Sequence, residues 1–285
     1  MSKILVTGVG GPAGRSVSSL LLERKVQVVG TDMKLVEMEG IQFFKVPPAN
    51  APDLLEAVYN IAKQEKVDLV IPTVSEELPV FGRGWRWHAD IPAMIASAKA
   101  VETADDKYLT SQELFAHKVS IPRFCLPSQV HSPEELAEHI GWPCISKPRI
   151  GRGGREVFLH MPDDWHIIHT LGDHYILQEF AEGTDYAPNV YVGHGDIAVT
   201  VVLEKTELKE GKVGNAKSVR RVMDEDVAEL ARKAARALGL NGPLDIDIRR
   251  KSDGNPLVLE INARFGANIR YASEVFEAAL AGYLP

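Results

Sequence analysis

The sequence predicts an α/β protein that opens on a parallel sheet, and three stretches carry that prediction. KILVTGVGGPAG, near the N-terminus, reads as a strand, a glycine turn and a helix start. GWPCISKPRIGRGGREVFLH reads as strand, glycine loop, strand, and DIDIRRKSDGNPLVLEINARFG reads as a hairpin with one polar face. At 285 residues the chain has material for about two domains, each with its own core.

In the opening, residues 3–7 form an apolar strand, residues 15–24 carry helical spacing, and VQVVGTD supplies the second strand. Gly8, Gly11 and Gly14 are spaced like a dinucleotide fingerprint, with Asp32 at the end of the second strand. That pattern suits a nicotinamide cofactor. It equally suits any tight strand-to-helix crossing that binds an anion or packs closely. A helix over 53–65 and the strand VDLVIPT (67–73) continue the alternation that implies a parallel sheet. Glu77 follows at a carboxyl end, either as a substrate contact or as an acid favoured by a helix dipole. Trp85, Arg86, Trp87 and His88 read as loop packing and receive no role.

The middle begins with TADDKYLTSQELFA (103–116), a capped helix start whose first turn holds Lys107. Lys147 then closes a strand, and Gly151, Gly153 and Gly154 form a loop interleaved with Arg149, Arg152 and Arg155. Such a loop can bring its backbone close to phosphates, although it is no Walker A loop because no G-K-[ST] leads into a helix. An exposed basic hairpin is the alternative. In HYILQEFAEGTDY, the Phe180–Ala181 backbone suits a flat base and Asp185 suits ribose hydroxyls. His166, His169 and His174 read as structural, since a lone i,i+3 pair supplies too few ligands for a metal.

The hairpin is the most informative stretch. Asp253-Gly254 marks a two-residue turn with both residues at positive φ. A symmetric register then sets Asp247 opposite Glu260, Asp245 opposite Asn262 and Lys251 opposite Pro256. Alternation puts Val258, Glu260, Asn262 and Arg264 on one face and Leu257, Leu259, Ile261 and Ala263 on the other. Opposed carboxylates repel unless a cation joins them, and Asp, Glu and Asn oxygens suit Mg²⁺. A solvated face with scattered charges is the alternative.

Composition removes several classes. Hydrophobic residues at 45% and charged residues at 25% describe a globular chain rather than a disordered one. A net charge of -7 argues against a nucleic-acid-wrapping surface. No apolar run is long enough to cross a bilayer, and MSKILVTGVGG lacks a signal-peptide layout, so a cytoplasmic location without membrane contact is expected. Cys125 and Cys144 give neither a disulfide framework nor metal spacing and are expected to be buried.

Lysine before a glycine loop, then QEFAEGTDY, then Asp247 with E-x-N-x-R: in this order the motifs resemble the ATP-grasp superfamily. The resemblance is nearest to the carbamoyl-phosphate synthetase large subunit and its short stand-alone relatives. It implies a Rossmann-like pre-ATP-grasp domain (1–104), a small lobe with the flap (105–186) and a large lobe with the metal hairpin (187–285). It implies ATP with Mg²⁺ as cofactors. Lys107 and Lys147 match the residues that reach the nucleotide, and Gly151, Gly153 and Gly154 match the flap. Glu179, Phe180 and Ala181 match the adenine hinge, with Asp185 at the ribose. Asp247, Glu260 and Asn262 match the metal ligands, and Arg264 with Lys147 the charges that steady the transferred phosphoryl group.

The activity implied is ATP-dependent phosphorylation of a carboxylate to an acyl phosphate, followed by attack of an amine. The alternatives are an NAD(P)-dependent reductase built on the glycine turn and a non-catalytic ATP-binding subunit of a synthetase. Asp245 departs from the family pattern and leaves room for a second metal or an altered substrate contact. Lys217, Arg220 and Arg221 are candidates for binding the acceptor or phosphate. The distance from Arg264 to the C-terminus implies a minimal large lobe or one completed by a partner, and a homodimer is the default assembly.

Overall fold

In a computed structural model, residues 2–88, 90–151, 153–193, 195–208 and 216–283 are described. Arg152 and most of the segment KEGKVGNAK lie outside them.

The N-terminal elements are β1 (Lys3–Thr7), α1 (Pro12–Glu23), β2 (Gln27–Asp32), β3 (Ile41–Lys45), α2 (Leu54–Gln64) and β4 (Leu69–Ile71). Their sheet has the order β3-β2-β1-β4, with every pair parallel. The first helix starts three residues before its expected position, because Pro12 at the first helical position already has the φ a helix needs. Gly8 makes the turn at φ +62°, and a Cβ on Gly14 would stand 2.2 Å from the Gly8 carbonyl oxygen. Backbone cannot yield to such a contact. Gly14→Ala is therefore expected to cost about 1–3 kcal/mol, read as a lower urea midpoint with an unchanged slope.

Next come α3 (Leu78–Gly84), α4 (Ala98–Asp105) and α5 (Lys107–Ala116). Asp106 caps α5, accepting from the backbone N–H groups of Tyr108 and Leu109, which fixes Lys107 at the helix start. A second sheet, antiparallel with order β5-β8-β6-β7, is built from β5 (Phe124–Cys125), α6 (Pro133–His139), β6 (Cys144–Pro148), β7 (Phe158–His160), α7 (Trp165–Ile168) and β8 (Tyr175–Glu179). Cys125 and Cys144 are buried there, and burial pushes both thiols up to about 12.

The last sheet holds β9 (Asp185–Tyr186), β10 (Asn189–Gly193), β11 (Asp196–Leu208), β12 (Ala216–Val222), α8 (Glu225–Ala237), β13 (Gly242–Arg250), β14 (Pro256–Asn262) and α9 (Ser273–Ala281). One face packs on α8 through Val190, Val202, Ile246 and Ile248. Ile4, Val6 and Leu69 of the first sheet share a core with Phe265, Phe276 and Leu280. α9, with Val275, Phe276, Ala279 and Leu280 buried, thus joins the two ends of the chain, while the first sheet also keeps a core of its own at Leu5, Val29 and Val70. No helix among the described residues is long and apolar enough to cross a membrane.

The hairpin differs from its expected register near the turn. Asp245 pairs with Asn262 and Asp247 with Glu260 as alternation predicts, but Ile248 pairs with Val258 and Arg250, not Lys251, with Pro256. The Gly254 N–H donates to the Lys251 carbonyl at 3.0 Å, and of Asp253 and Gly254 only Gly254 has positive φ. This is a three-residue turn ending in a left-handed glycine, one residue longer than a two-residue turn. A β-bulge at Leu259 absorbs the offset, and it reverses the expected faces: Val258 joins the core with Ile261, while Leu259 lines the cleft.

Candidate functional site

Between the second and third sheets lies a cleft of about 200 Å³, bounded by the loop after β6, the end of β8, and the polar face of β13 and β14. Every residue predicted to bind nucleotide or metal lines it: Lys107, Lys147, Gly151, Gly153 and Gly154 from one side. Glu179, Phe180, Ala181 and Asp185 come from the hinge, and Asp247, Glu260, Asn262 and Arg264 from the hairpin.

Lysines meet carboxylates at its centre. Lys107 donates to the Gly151 carbonyl at 2.8 Å and lies 3.5 Å from Glu260, so it ties the glycine loop to the hairpin. Lys147 donates to the Leu259 carbonyl at 3.1 Å, beside the bulge. Burial holds the Lys147 ammonium down at about 8, against the attraction of Glu260. Burial would also raise Glu260, but Lys107 and Lys147 outweigh it and pull that carboxyl down to about 2. Asp247 is pushed the other way, to about 7, by burial above all, although the Lys205 ammonium opposes the rise.

Two opposed acids that part in this way share one proton, and a cation can take its place. Among the described residues no group of three His, Cys, Asp or Glu side chains converges for a metal. The set is two acids and the Asn262 amide, which fits a hard divalent ion that keeps waters and accepts substrate phosphates. Asn262 is itself oriented, its Oδ1 accepting from Arg264 at 3.1 Å.

The chain carries the pattern of the ATP-grasp domain over residues 104–268, more than half its length. It belongs to the ATP-grasp family. A D-alanine--D-alanine ligase of Halothermothrix orenii is 28% identical over 223 residues, 69% of this chain and 65% of that protein. A carbamoyl phosphate synthase large chain of Bifidobacterium animalis subsp. lactis is 23% identical over 142 residues, 50% of this chain and 12% of that one. The chain thus spans less than two thirds of the length of these curated relatives. The crystal structure of an L-amino acid ligase from Bacillus licheniformis superposes with a TM-score of 0.72 at 17% identity, covering 97% of this chain and 70% of that one, a likeness of fold.

Several ATP-grasp expectations change in detail. Glu179 turns its carboxylate to Arg123 and, at 2.9 Å, to Lys251. Arg149 is taken by Asp106, at 2.6 Å, at the start of the glycine loop. Lys217, Arg220 and Arg221 are exposed on β12 and paired with Glu207, Glu204 and Glu274. Glu77 is buried and accepts from the Thr7 hydroxyl, a structural role inside the first sheet. Asp245 accepts from Arg264 at 3.3 Å, and Gly266 leaves room for it, since a Cβ there would stand 2.5 Å from the Asp245 carboxyl carbon.

Sequence reasoning missed Lys205. Its ammonium lies 2.6 Å from Asp247 and 3.2 Å from Asp185, the second an ion pair without an aligned hydrogen bond. Asp185, which also lines the cleft, is therefore drawn toward the acid cluster. A signal existed: Val201, Leu203 and Lys205 share one face of β11, and a lysine that continues a buried apolar row has been placed inside.

Proposed function

We propose that the chain is an ATP-dependent ligase that phosphorylates a carboxylate to an acyl phosphate and passes the acyl group to an amine. The observation that carries this reading is the convergence of Lys107, Lys147, Lys205 and Arg264 with Asp247, Glu260 and Asn262 on one cleft. Four cations and a metal-binding set match the charge of a triphosphate, and they exceed what a reductase would use. Against the dinucleotide alternative, the Asp32 carboxylate already accepts from the backbone of Gly10 and Lys34.

Mg²⁺, held by Asp247, Glu260 and Asn262, would supply neutralising charge at the nucleotide's terminal phosphates. Lys147 and Lys205 add fixed ammonium groups beside that charge, their side chains largely shielded from solvent, where they act more strongly than in water. Arg264 is held by Ser75, Asp245, Asn262 and the Phe265 carbonyl, so its guanidinium meets the reacting carboxylate without reorganising. That carboxylate attacks the γ-phosphorus in line, the bond to the β-phosphate oxygen breaks, and ADP leaves. An acyl phosphate hydrolyses readily in water. The loop tied down by Lys107 at Gly151 would exclude solvent until an amine attacks the acyl carbon and inorganic phosphate departs. In this reading residues 1–104, 105–186 and 187–285 serve as substrate-facing unit, flap-bearing lobe and metal-bearing lobe.

Thermal unfolding tests the reading first. MgATP at about 100 times its Kd is expected to stabilise the protein by about 2.7 kcal/mol, and NADPH to leave it unchanged. Phosphate release is then screened against pairs of carboxylates and amines. A shift with NADPH alone would favour the reductase, and MgATP binding without phosphate release for any pair would favour a non-catalytic subunit.

A further inference from the structure

Along the cleft face of β13, Arg249 lies at the hinge, Asp247 in the metal set and Asp245 at the far end. Around Asp245 the wall is made of Arg264, Pro12 at the start of α1, and Ala267 with Asn268. The Ser16 hydroxyl donates to the Ala267 carbonyl at 2.6 Å and fixes α1 against that wall. In-line attack on the γ-phosphorus comes from the side opposite the leaving ADP, so the end away from the hinge is where the carboxylate substrate stands.

The charges there are balanced, unlike those at the phosphates. Lys107, Lys147 and Lys205 lie on the phosphate side. At the far end Arg264 is matched by Asp245 at 3.3 Å, and their side chains are largely shielded, 15% and 18% exposed. Only one carboxylate oxygen of Asp245 is engaged: Oδ2 accepts from Arg264, whereas Oδ1 meets no donor among the described residues. A carboxylate drawn to Arg264 therefore also approaches a fixed anion, and away from bulk water that repulsion offsets much of the attraction. A second metal is disfavoured for the opposite reason, because the guanidinium already stands beside the acid.

We propose that Asp245 is a specificity-determining residue that selects a zwitterion, a carboxylic acid of the α-amino acid class. The substrate carboxylate faces Arg264 while its ammonium faces Oδ1 of Asp245, so each fixed charge meets an opposite one. In an α-amino acid a single carbon separates the two charged groups, which suits an acid and a guanidinium in contact. Simple carboxylates and bicarbonate bring only negative charge and leave Asp245 repelling them. The assignment rests on the ligase reading above.

Substrate competition between matched acids tests it. Phosphate release is followed with MgATP and hydroxylamine, which serves as a general amine acceptor. The acids are the L- and D-amino acids, their desamino counterparts (propionate for alanine) and bicarbonate. The expected result is a kcat/KM at least about 100-fold higher for an amino acid than for its desamino counterpart or bicarbonate, as in a site built to bond the missing group. D245N, which keeps an oxygen for Arg264, is expected to raise the KM of the amino acid about 10–100-fold and to leave that of the desamino acid unchanged or lower. A wild-type preference below about 10-fold, no more than a methylene confers, overturns the assignment and spares the ligase reading. Equal losses for both classes in D245N overturn it as well, since they mark a residue that only holds Arg264. Where D245N does not fold, the wild-type comparison alone decides. Wild-type protein that releases phosphate with none of these acids overturns the ligase reading, and the assignment with it.

Discussion

Replacing Lys205 by methionine is expected to damage both stability and turnover. The lysine's side chain, 8% exposed, lies between Asp185 and Asp247, and both carboxylates raise its ammonium well above the usual lysine range against the opposing effect of burial. Methionine fills similar space but leaves two buried acids without a cation. Breaking a buried ion pair from one side costs about 3–5 kcal/mol, so R-group volume alone will not rescue the fold. Urea unfolding reads that loss. In the folded fraction, phosphate release is expected to fall about 10²–10³-fold, the scale for removing one preorganised donor aimed at developing charge. A variant as stable and as active as wild type would show that Lys205 lies outside the working site.

Glu260→Gln attacks the other side of the same cluster, and it carries a pH signature. Asp247, at about 7, holds a proton over most of the acidic range, while Glu260, at about 2, stays ionised. A divalent cation needs both oxygens unprotonated. Its affinity is therefore expected to rise as pH rises through about 7 and to fall on acidification, with a proton released on binding below that pH. Titration of Mn²⁺ in buffers of different ionisation enthalpy measures the release. In Glu260→Gln one of the two carboxylates is gone, and the repulsion from Glu260 that helps raise Asp247 goes with it. The proton release should shrink, Mn²⁺ binding should weaken, phosphate release should drop about 10²–10³-fold, and the urea midpoint should fall, because Lys107 and Lys147 lose their carboxylate partner. Unchanged Mn²⁺ binding would remove Glu260 from the metal set.

Much of this site could be read along the chain because its information is local. Strand alternation put Asp247, Glu260, Asn262 and Arg264 on one face, and the cap at Asp106 put Lys107 at a helix start. The hairpin register survived at the acids even though the turn was misjudged, because a bulge at Leu259 cancels the longer turn before Glu260 is reached. The exchanged faces of Val258 and Leu259 show the limit of period-two reasoning, which holds only while a strand is regular.

By itself, the sequence determined which strands alternate, where helices and turns begin, and the order of lysine, glycine loop, hinge and acid hairpin that marks the family. Only the tertiary structure decided which charges remain available to a ligand. Arg149 is spent on Asp106, Glu179 on Arg123 and Lys251, and Asp185 on Lys205, whereas Arg249 keeps no acid partner among the described residues. Most of those partners lie tens of residues apart. The strength of a charge depends on its burial and on which opposite charge stands within a few ångströms, and both are set by packing between sheets that local periodicity does not encode.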